Sequence, residues 1–188
     1  MFDIEQFIAE CRAALEQDRS PAAVHEVVTG AVSEPSAIIK ALGEPTRGGI
    51  QRLYHSPELT ILNVVWAPKM TIFPHNHDTW AVIGIYSGRE DNIFWRRLPS
   101  DSHRVEAAGA KSLCDKDTVQ LGRDIIHSVT NPIGRLTSAL HVYGGDFFNA
   151  NRSEWDPESL LERPCDPERI VAIFEEENYR MAAARDKV

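Results

Sequence analysis

The sequence predicts a mainly β fold, a barrel or sandwich of short strands, with helices before and after it. Between residues 50 and 150, short runs rich in Val, Ile, Thr and aromatic residues alternate with turn-forming residues. In residues 1–45 the apolar residues instead recur every three to four positions, which is the spacing of amphipathic helices. Residues 151–188 are expected to form an irregular, proline-containing segment followed by a C-terminal helix.

The N-terminal segment is expected to fold into three helices. Asp3 and Gln6 resemble a capping box at the start of the first helix. The second helix begins with Ser20 as N-cap and Pro21 in its first turn, and the third ends at Gly43. The apolar stripe of the first two helices consists of Ile4, Phe7, Ile8, Cys11, Leu15, Val24, Val27, Val28 and Ala31. Such a stripe either covers the barrel or supports a dimer, and the sequence leaves both open.

Six β-rich runs are predicted within the barrel region. They cover residues 59–66, 80–86, 92–98, 111–121, 125–130 and 136–143. Turn signals lie between and within them, including Gly109 and the segment 115–117. Many short strands at near-regular spacing are typical of a sandwich or barrel. Further on, Pro157 and Pro164 indicate irregular structure, and the last helix is expected to begin near Pro167.

Composition predicts one globular domain spanning residues 1–188. Hydrophobic residues make up 43% of the chain, enough for a core without disulfide staples. Lys and Arg number 20 against 28 Asp and Glu, and this net charge of −8 disfavours nucleic-acid binding. No apolar run is long enough for a membrane span and the first residues lack signal-peptide features, so we expect a cytoplasmic protein without a membrane partner. Three scattered Cys residues fit a reducing compartment.

His75 and His77 are the first candidate metal ligands. They stand two positions apart in a segment rich in β-branched and aromatic residues. Because side chains alternate along a strand, an H-x-H pair in a strand places both imidazoles on one face. Two neutral imidazoles on one face suit a divalent metal ion.

A second motif makes the metal interpretation more specific. It contains His127 and, four positions later, Asn131. Together with His75, His77 and the following Gly88, the pattern resembles the cupin superfamily, in which an H-x-H pair and a later His bind a metal. The resemblance implies a cupin double-stranded β-helix barrel, here with N-terminal helices and a C-terminal helix, and it implies His75, His77 and His127 as the metal ligands.

The sequence departs from the common cupin pattern at one ligand position. Many cupins carry a Glu ligand four residues after the second His, where this chain has Ala81. Asp78 follows His77 directly and is expected to point to the opposite face. Three neutral imidazoles leave the charge of a divalent ion uncompensated, so such a site favours anionic ligands and holds a bound thiol as thiolate.

Residues 50–152 resemble the thiol dioxygenases, the family of cysteine dioxygenase and 3-mercaptopropionate dioxygenase. In that family a Ser-x-His-x-Tyr row lies beside the iron, and His141 and Tyr143 match its His and Tyr. The Ser position holds Ala139, with Ser138 on the other face of the strand. The resemblance implies that Tyr143 lies near O2 and the substrate, and that His141 orients Tyr143.

The family also suggests a carboxylate-binding arginine. Arg152 lies nine residues after Tyr143, where the mercaptopropionate-type enzymes carry such an Arg. The planar guanidinium meets a carboxylate bidentately, which makes Arg suitable for this role. The position used by cysteine dioxygenases falls near residues 52–55, and the sequence does not choose between it and Arg152.

The resemblance implies an Fe(II)-dependent enzyme that oxidises a small carboxylate-bearing thiol to its sulfinate with O2. Two other interpretations stay open. One is a metal-binding cupin without O2 chemistry, acting as a sensor or binding module. The other is an isomerase or hydrolase that uses Zn, Mn or Ni, since imidazole ligands alone do not choose the metal. The sequence is equally compatible with a monomer and a homodimer.

Overall fold

The structure is a computed structural model that describes residues 1–185. Its helices are α1 (Ile4–Gln17), α2 (Pro21–Val32), α3 (Pro35–Leu42) and α4 (Pro167–Arg185). Its strands are β1 (Gly49–His55), β2 (Thr60–Trp66), β3 (Thr71–Asn76), β4 (Ala81–Ser87), β5 (Arg89–Leu98), β6 (Asp101–Cys114), β7 (Thr118–Leu121), β8 (Ile126–Thr130), β9 (Thr137–Tyr143), β10 (Ser153–Trp155) and β11 (Glu162–Pro164). Over these residues, no helix is both long and apolar enough to cross a bilayer.

Two antiparallel sheets face each other across the main core. Their strand orders are β1-β2-β9-β4-β7 and β11-β10-β3-β8-β5-β6. Strands β2 to β9 thus make two four-stranded sheets, ordered 2-9-4-7 and 3-8-5-6. Consecutive strands from β2 to β5 alternate between the sheets, which is the eight-stranded jelly roll, or double-stranded β-helix, found in cupins. The expected mainly β cupin barrel, with N-terminal helices and a C-terminal helix, is confirmed.

The N-terminal helices cover the outer face of the five-stranded sheet. Val24, Val28 and Val32 of α2 are fully buried and belong to one apolar cluster with Val82 and Leu140 of β4 and β9. The predicted caps are present, since Asp3 Oδ1 accepts a hydrogen bond from the Gln6 amide and Ser20 Oγ accepts one from Ala22. The apolar stripe therefore covers the barrel, one of the two roles that the sequence left open.

Several predicted boundaries are wrong, and strand edges explain most of the errors. The sequence missed β1, the strand expected around His75 and His77 ends at Asn76, and the segment predicted to be irregular contains the short strands β10 and β11. Both short strands pair at the edge of the second sheet, where few residues are needed and Pro164 is tolerated at a strand end. Gly109 is no turn: it lies inside β6 at a register shift against β5, where a bulge accommodates it.

Close packing of α2 on the sheet gives a stability prediction. A Cβ added at Gly84 would lie 2.6 Å from Val28 Cγ1 and 2.9 Å from Val32 Cγ1. Since β-branched side chains on a packed helix cannot move away freely, Gly84→Ala should destabilise the protein by about 1–3 kcal/mol in urea unfolding. Gly30→Ala is the matched control, because a Cβ there meets nothing within 4 Å. Equal unfolding free energies for the two variants would contradict this packing.

Candidate metal centre and cavity

Three imidazoles meet inside the barrel. His75 lies on β3 directly opposite His127 of β8, and His77 follows the end of β3. One ring nitrogen from each His lies within 4.8 Å of the other two. The Nε2 atoms of His77 and His127 are 3.2 Å apart, close to the separation of about 3 Å expected for two imidazoles side by side on one ion. The cluster is therefore a candidate metal site.

A β-bulge directs His75 and His77 into the barrel. The expectation that both belong to one regular strand is wrong, because β3 ends at Asn76. The pairing with β8 shifts between Ile72 and His75, so that β3 has one residue more than its partner there. Pro74 lies in this interval and has no N–H to give to the ladder. Irregular backbone, and not strand alternation alone, brings the two rings together.

Hydrogen bonds set which nitrogen of two of the rings is free. His75 Nδ1 lies 3.0 Å from the Phe73 carbonyl oxygen, and His127 Nδ1 lies 2.7 Å from Asn92 Oδ1. Carbonyl oxygens only accept, so both Nδ1 atoms carry the hydrogen and both Nε2 lone pairs remain available. This is the tautomer that binding a metal through Nε2 requires.

Burial keeps the three rings neutral. Desolvation lowers the pKa of His75 to about 4, with the nearby Arg152 charge acting in the same direction. Desolvation, followed by the neighbouring imidazoles, also holds the pKa values of His77 and His127 well below the usual range. Neutral imidazole is the metal-binding form, so the donor set fits a divalent ion without prior loss of a proton.

Nearby carboxylates do not join the cluster. Ala81, at the position of the common cupin Glu, is fully buried opposite Tyr143 on β9 and offers no ligand atom. Asp78 Oδ1 accepts hydrogen bonds from the Arg123 guanidinium at 2.9 and 3.0 Å. Within residues 1–185, the grouped ligand atoms at this place are those of the three histidines.

His141 and Tyr143 line the barrel beside these rings. Ala139 and Tyr143 belong to the core between the sheets, whereas the intervening Leu140 belongs to the cluster under the helices. His141 Nδ1 lies 3.0 Å from the Tyr143 hydroxyl, and the Tyr143 ring meets the His77 ring edge-on at 5.0 Å between centroids. Burial lowers the pKa of His141 to about 3 and raises that of Tyr143, so both groups are uncharged at neutral pH. Ala139 supplies no hydroxyl to this row, and Ser138 lies on the other strand face.

Arg152 presents a buried cation to the same space. Its backbone N–H donates to the Ala150 carbonyl, and its own carbonyl accepts from Cys165, so the chain is held on both sides of the side chain. The guanidinium lies 4.1 Å from the centre of the Phe147 ring. The residue is only 9% exposed, and its Nε has no hydrogen-bond partner within residues 1–185. A buried guanidinium with an unused donor is suited to bind an anion.

Of the upstream candidates, Arg52 faces this space and His55 does not. Arg52, on β1, lines the same cavity as Arg152 and the three histidines. His55 Nε2 instead lies 2.8 Å from Asp146 Oδ1 at the surface. The two arginine positions that the sequence could not decide between therefore border one cavity.

The cavity has a volume of about 430 Å³ and is mainly apolar. It is lined by Ile50, Arg52, Leu62, Val64, Trp66, Ile72, His75, His77, His127, Val129, His141, Tyr143, Phe147, Phe148, Arg152, Pro167, Ile170, Val171 and Phe174. No Asp or Glu of the described chain is among them, so its charged groups are two arginines. Phe174 of α4 stacks on Trp66 with ring centres 5.5 Å apart, which makes the C-terminal helix one wall. Ile50, Phe148 and Val171 are 44%, 44% and 56% exposed and mark the rim.

Sequence reasoning missed the supporting residues Glu90, Asn92 and Phe147. Glu90 and Asn92 are both buried on the inner face of β5, where Asn92 Nδ2 donates to Glu90 Oε1 at 3.0 Å. Because β5 carries polar residues on both faces, its sequence lacks the polar–apolar alternation that would indicate that Glu90 and Asn92 point into the barrel. Phe147 stacks on Tyr143 at 4.0 Å from a loop, and no sequence periodicity predicts such a contact.

Comparison with solved structures finds proteins of low sequence identity to this chain. A cupin family protein with a double-stranded β-helix fold from Methanocaldococcus jannaschii is 10% identical, with a TM-score of 0.47 over 58% of this chain and 90% of that one. A conserved protein with a double-stranded β-helix domain from Klebsiella pneumoniae is 11% identical, with a TM-score of 0.46 over 60% and 88%. An oxalate oxidase in complex with the substrate analogue glycolate is 14% identical, with a TM-score of 0.44 over 58% and 56%.

No protein-family model matches this chain, and no curated protein matches its sequence. With identities of 10–14% and TM-scores below 0.5, the likenesses to solved structures support no particular substrate or activity for this protein.

The cluster gives a direct prediction about metal binding. His127→Ala removes one of three ligand atoms and should abolish tight, stoichiometric Co(II) binding, followed by absorption spectroscopy and elemental analysis. His103→Ala is the control, since that imidazole is an exposed side chain away from the cavity. Thermal unfolding of both metal-free variants would verify that they fold. Unchanged Co(II) stoichiometry in His127→Ala would exclude the proposed ligand set.

Proposed function

We propose that this protein is an Fe(II)-dependent dioxygenase that oxidises a small carboxylate-bearing thiol to its sulfinate with O2. The observation that supports this best is the joint presence of three neutral imidazoles, a Tyr–His pair and two arginines around one cavity. His75, His77 and His127 would hold the metal. A bound iron would supply the redox chemistry by which both atoms of O2 are added to the sulfur: one thiol and one O2 give one sulfinic acid.

The cavity favours a substrate that arrives as an anion. A divalent ion on neutral imidazoles and the buried Arg152 guanidinium make the interior positive, and the exposed Arg52 adds a positive charge at the edge of the cavity, although the chain as a whole carries a net charge of −8. Arg152 would clamp the substrate carboxylate with its parallel N–H groups, and its stacking on Phe147 fixes the plane of the fork. Arg52 is available for a second carboxylate or for the other end of a longer one.

Tyr143 and His141 would orient the reacting groups. The Tyr143 hydroxyl is protonated at neutral pH and lies beside His77, where it can hydrogen-bond the thiol or the incoming oxygen. The contact between His141 Nδ1 and the hydroxyl restricts the rotation of that O–H. Phe147 stacks on one face of the Tyr143 ring, with ring centres 4.0 Å apart, and excludes water from that face.

Two other functions follow from the same donor set. A binding module or sensor would keep the metal and the cavity without turnover. An isomerase or hydrolase would use Zn, Mn or Ni on the three imidazoles, because these ligands suit several metals. The Tyr–His pair beside the ligands and the arginines favour the thiol dioxygenase.

The deciding experiment is O2 uptake by iron-loaded protein with cysteine, 3-mercaptopropionate, mercaptosuccinate and cysteamine, with product detection by mass. The proposal expects uptake with carboxylate-bearing thiols and a product heavier than the thiol by two oxygen atoms. Zinc-loaded wild-type protein, and His127→Ala treated with iron in the same way as wild type, should consume no O2. If one iron binds per chain and no thiol is oxidised, the dioxygenase assignment is wrong and the binding or hydrolytic functions take its place.

Tyr143→Phe tests the hydroxyl separately from the metal. The ring and its stacking on Phe147 remain, so iron content should stay near one per chain, while kcat falls by about 10- to 100-fold. Iron analysis and steady-state O2 uptake measure the two effects. Loss of iron in this variant would mean that Tyr143 supports the metal and not the reaction.

The arginines can be assigned by substrate comparison. Arg152→Gln should raise KM for a monocarboxylate thiol by at least tenfold, whereas whatever oxidation wild-type protein shows with cysteamine, which has no carboxylate, should be almost unchanged. Arg52→Gln is the matched variant at the other arginine of the cavity. A larger increase in KM for Arg52→Gln than for Arg152→Gln would assign carboxylate binding to Arg52. An increase in KM for cysteamine as large as that for the carboxylate-bearing thiol would contradict carboxylate recognition by either arginine.

A further inference from the structure

Glu90 is a buried carboxylate whose hydrogen bonds lead to the metal cluster. Its side chain is fully buried on the inner face of β5. Oε2 accepts a hydrogen bond from Trp66 Nε1 at 2.8 Å, and Oε1 accepts one from Asn92 Nδ2 at 3.0 Å. Burial raises the pKa of Glu90 and these two hydrogen bonds oppose the rise. Two N–H donors on separate oxygens are the partners that a carboxylate accepts.

Asn92 connects Glu90 to His127 through two hydrogen bonds. Because the amide nitrogen of Asn92 is engaged by Glu90, its oxygen is directed at His127 Nδ1, 2.7 Å away. In this chain of hydrogen bonds the amide of Asn92 donates to the carboxyl group of Glu90, and its oxygen accepts from the imidazole of His127. His127 must therefore carry its hydrogen on Nδ1, and its Nε2 has a free lone pair. A hydrogen bond to the far nitrogen of a metal-binding His sets its tautomer and raises its basicity.

Glu90 also faces the second polar row of the cavity. His141 Nε2 is buried and has no hydrogen-bond partner within residues 1–185, and Glu90 Oε2 lies 3.9 Å from it. With a hydrogen on Nε2, His141 points a positive edge at the carboxylate, and its Nδ1 accepts from the Tyr143 hydroxyl 3.0 Å away. Ala139 offers no hydroxyl to this end of the row, so the carboxyl group of Glu90, 3.9 Å away, is the polar group that His141 Nε2 faces.

We propose that Glu90 is the positioning residue that sets the tautomers of both His127, through Asn92, and His141, whose Nε2 edge it faces. This rests on the metal-site part of the proposed function and is independent of O2 chemistry. Glu90 touches neither the ligand atoms nor the cavity, so it acts through Asn92 and across the short gap to His141.

Glu90→Gln is the informative variant because it keeps the size of the side chain and replaces one acceptor oxygen by an NH₂ donor. The single amide oxygen of Gln can accept from Trp66 Nε1 or from Asn92 Nδ2 but not from both. The NH₂ group of Gln would then lie against the N–H of the other residue. Asn92 should then lose its fixed orientation. We expect Co(II) affinity to fall by about 10- to 100-fold, which is the usual effect of removing such a partner of a metal-binding His.

The test combines long-range ¹H–¹⁵N spectra of the histidine rings in metal-free protein with Co(II) titration. The wild-type chain should show His127 protonated at Nδ1 and His141 at Nε2, and Glu90→Gln should show a mixture at both rings. Asn92→Leu should change only His127. Tyr86→Phe is the control, because it removes another buried hydrogen bond, the one to Asn63 at 2.7 Å on the outer sheet face, and should leave both rings and the affinity unchanged.

Two outcomes would overturn the proposal. One is that Glu90→Gln folds and keeps wild-type tautomers and Co(II) affinity. The other is that Tyr86→Phe weakens Co(II) binding as much as Glu90→Gln, which would mean a general loss of stability. If Glu90→Gln does not fold, unchanged His127 and Co(II) affinity in Asn92→Leu would equally overturn it. A chain that passes these tests but oxidises no thiol would remove the dioxygenase assignment and leave Glu90 in its role.

Discussion

The cost of burying polar groups governs the interior of this barrel. Four imidazoles, an amide, a carboxylate and a guanidinium lie among apolar side chains, and each must remain neutral or find a partner. The Phe73 carbonyl and Asn92 meet this requirement for His75 and His127 at Nδ1, which leaves the opposite nitrogens directed at one another. Because the Nδ1 atoms of these rings already have hydrogen-bond partners, the Nε2 atoms are the ones left to bind a metal ion.

Much of this arrangement could be predicted from the sequence, for identifiable reasons. Short β-rich runs separated by turn residues predict two packed sheets, because strands with one apolar face must bury that face against another layer. A barrel or sandwich such as the jelly roll is one of the few folds that do so. The spacing of His75, His77 and His127 is short-range information within two segments, so it indicates a common site without knowledge of the pairing. Helix caps at Asp3 and Ser20 are likewise local, and the structure has them at those residues.

Other features could not be predicted, because they depend on contacts between distant segments. The bulge before His75 is a property of the pairing between β3 and β8 and not of β3 itself. Glu90 and Asn92 look like surface residues in a strand with mixed faces, and they are buried because their side chains point at the facing sheet, where Trp66 contacts Glu90. That Arg52 and Arg152 border one cavity results from the packing of α4 and the loop after β9 against the barrel mouth.

The end of β3 divides the metal cluster into a stiff part and a compliant part. His75 and His127 are direct partners across a hydrogen-bonded ladder, so their separation is set by the sheet. His77 stands beyond the last paired residue, next to Asp78 with its left-handed backbone of φ 51°. We therefore expect the loop to absorb a change in ionic radius or coordination number, while the strands keep their register. Two ligand positions are fixed by the sheet and the third can shift with the loop. Such an arrangement suits a metal centre whose coordination number and bond lengths change when a ligand binds.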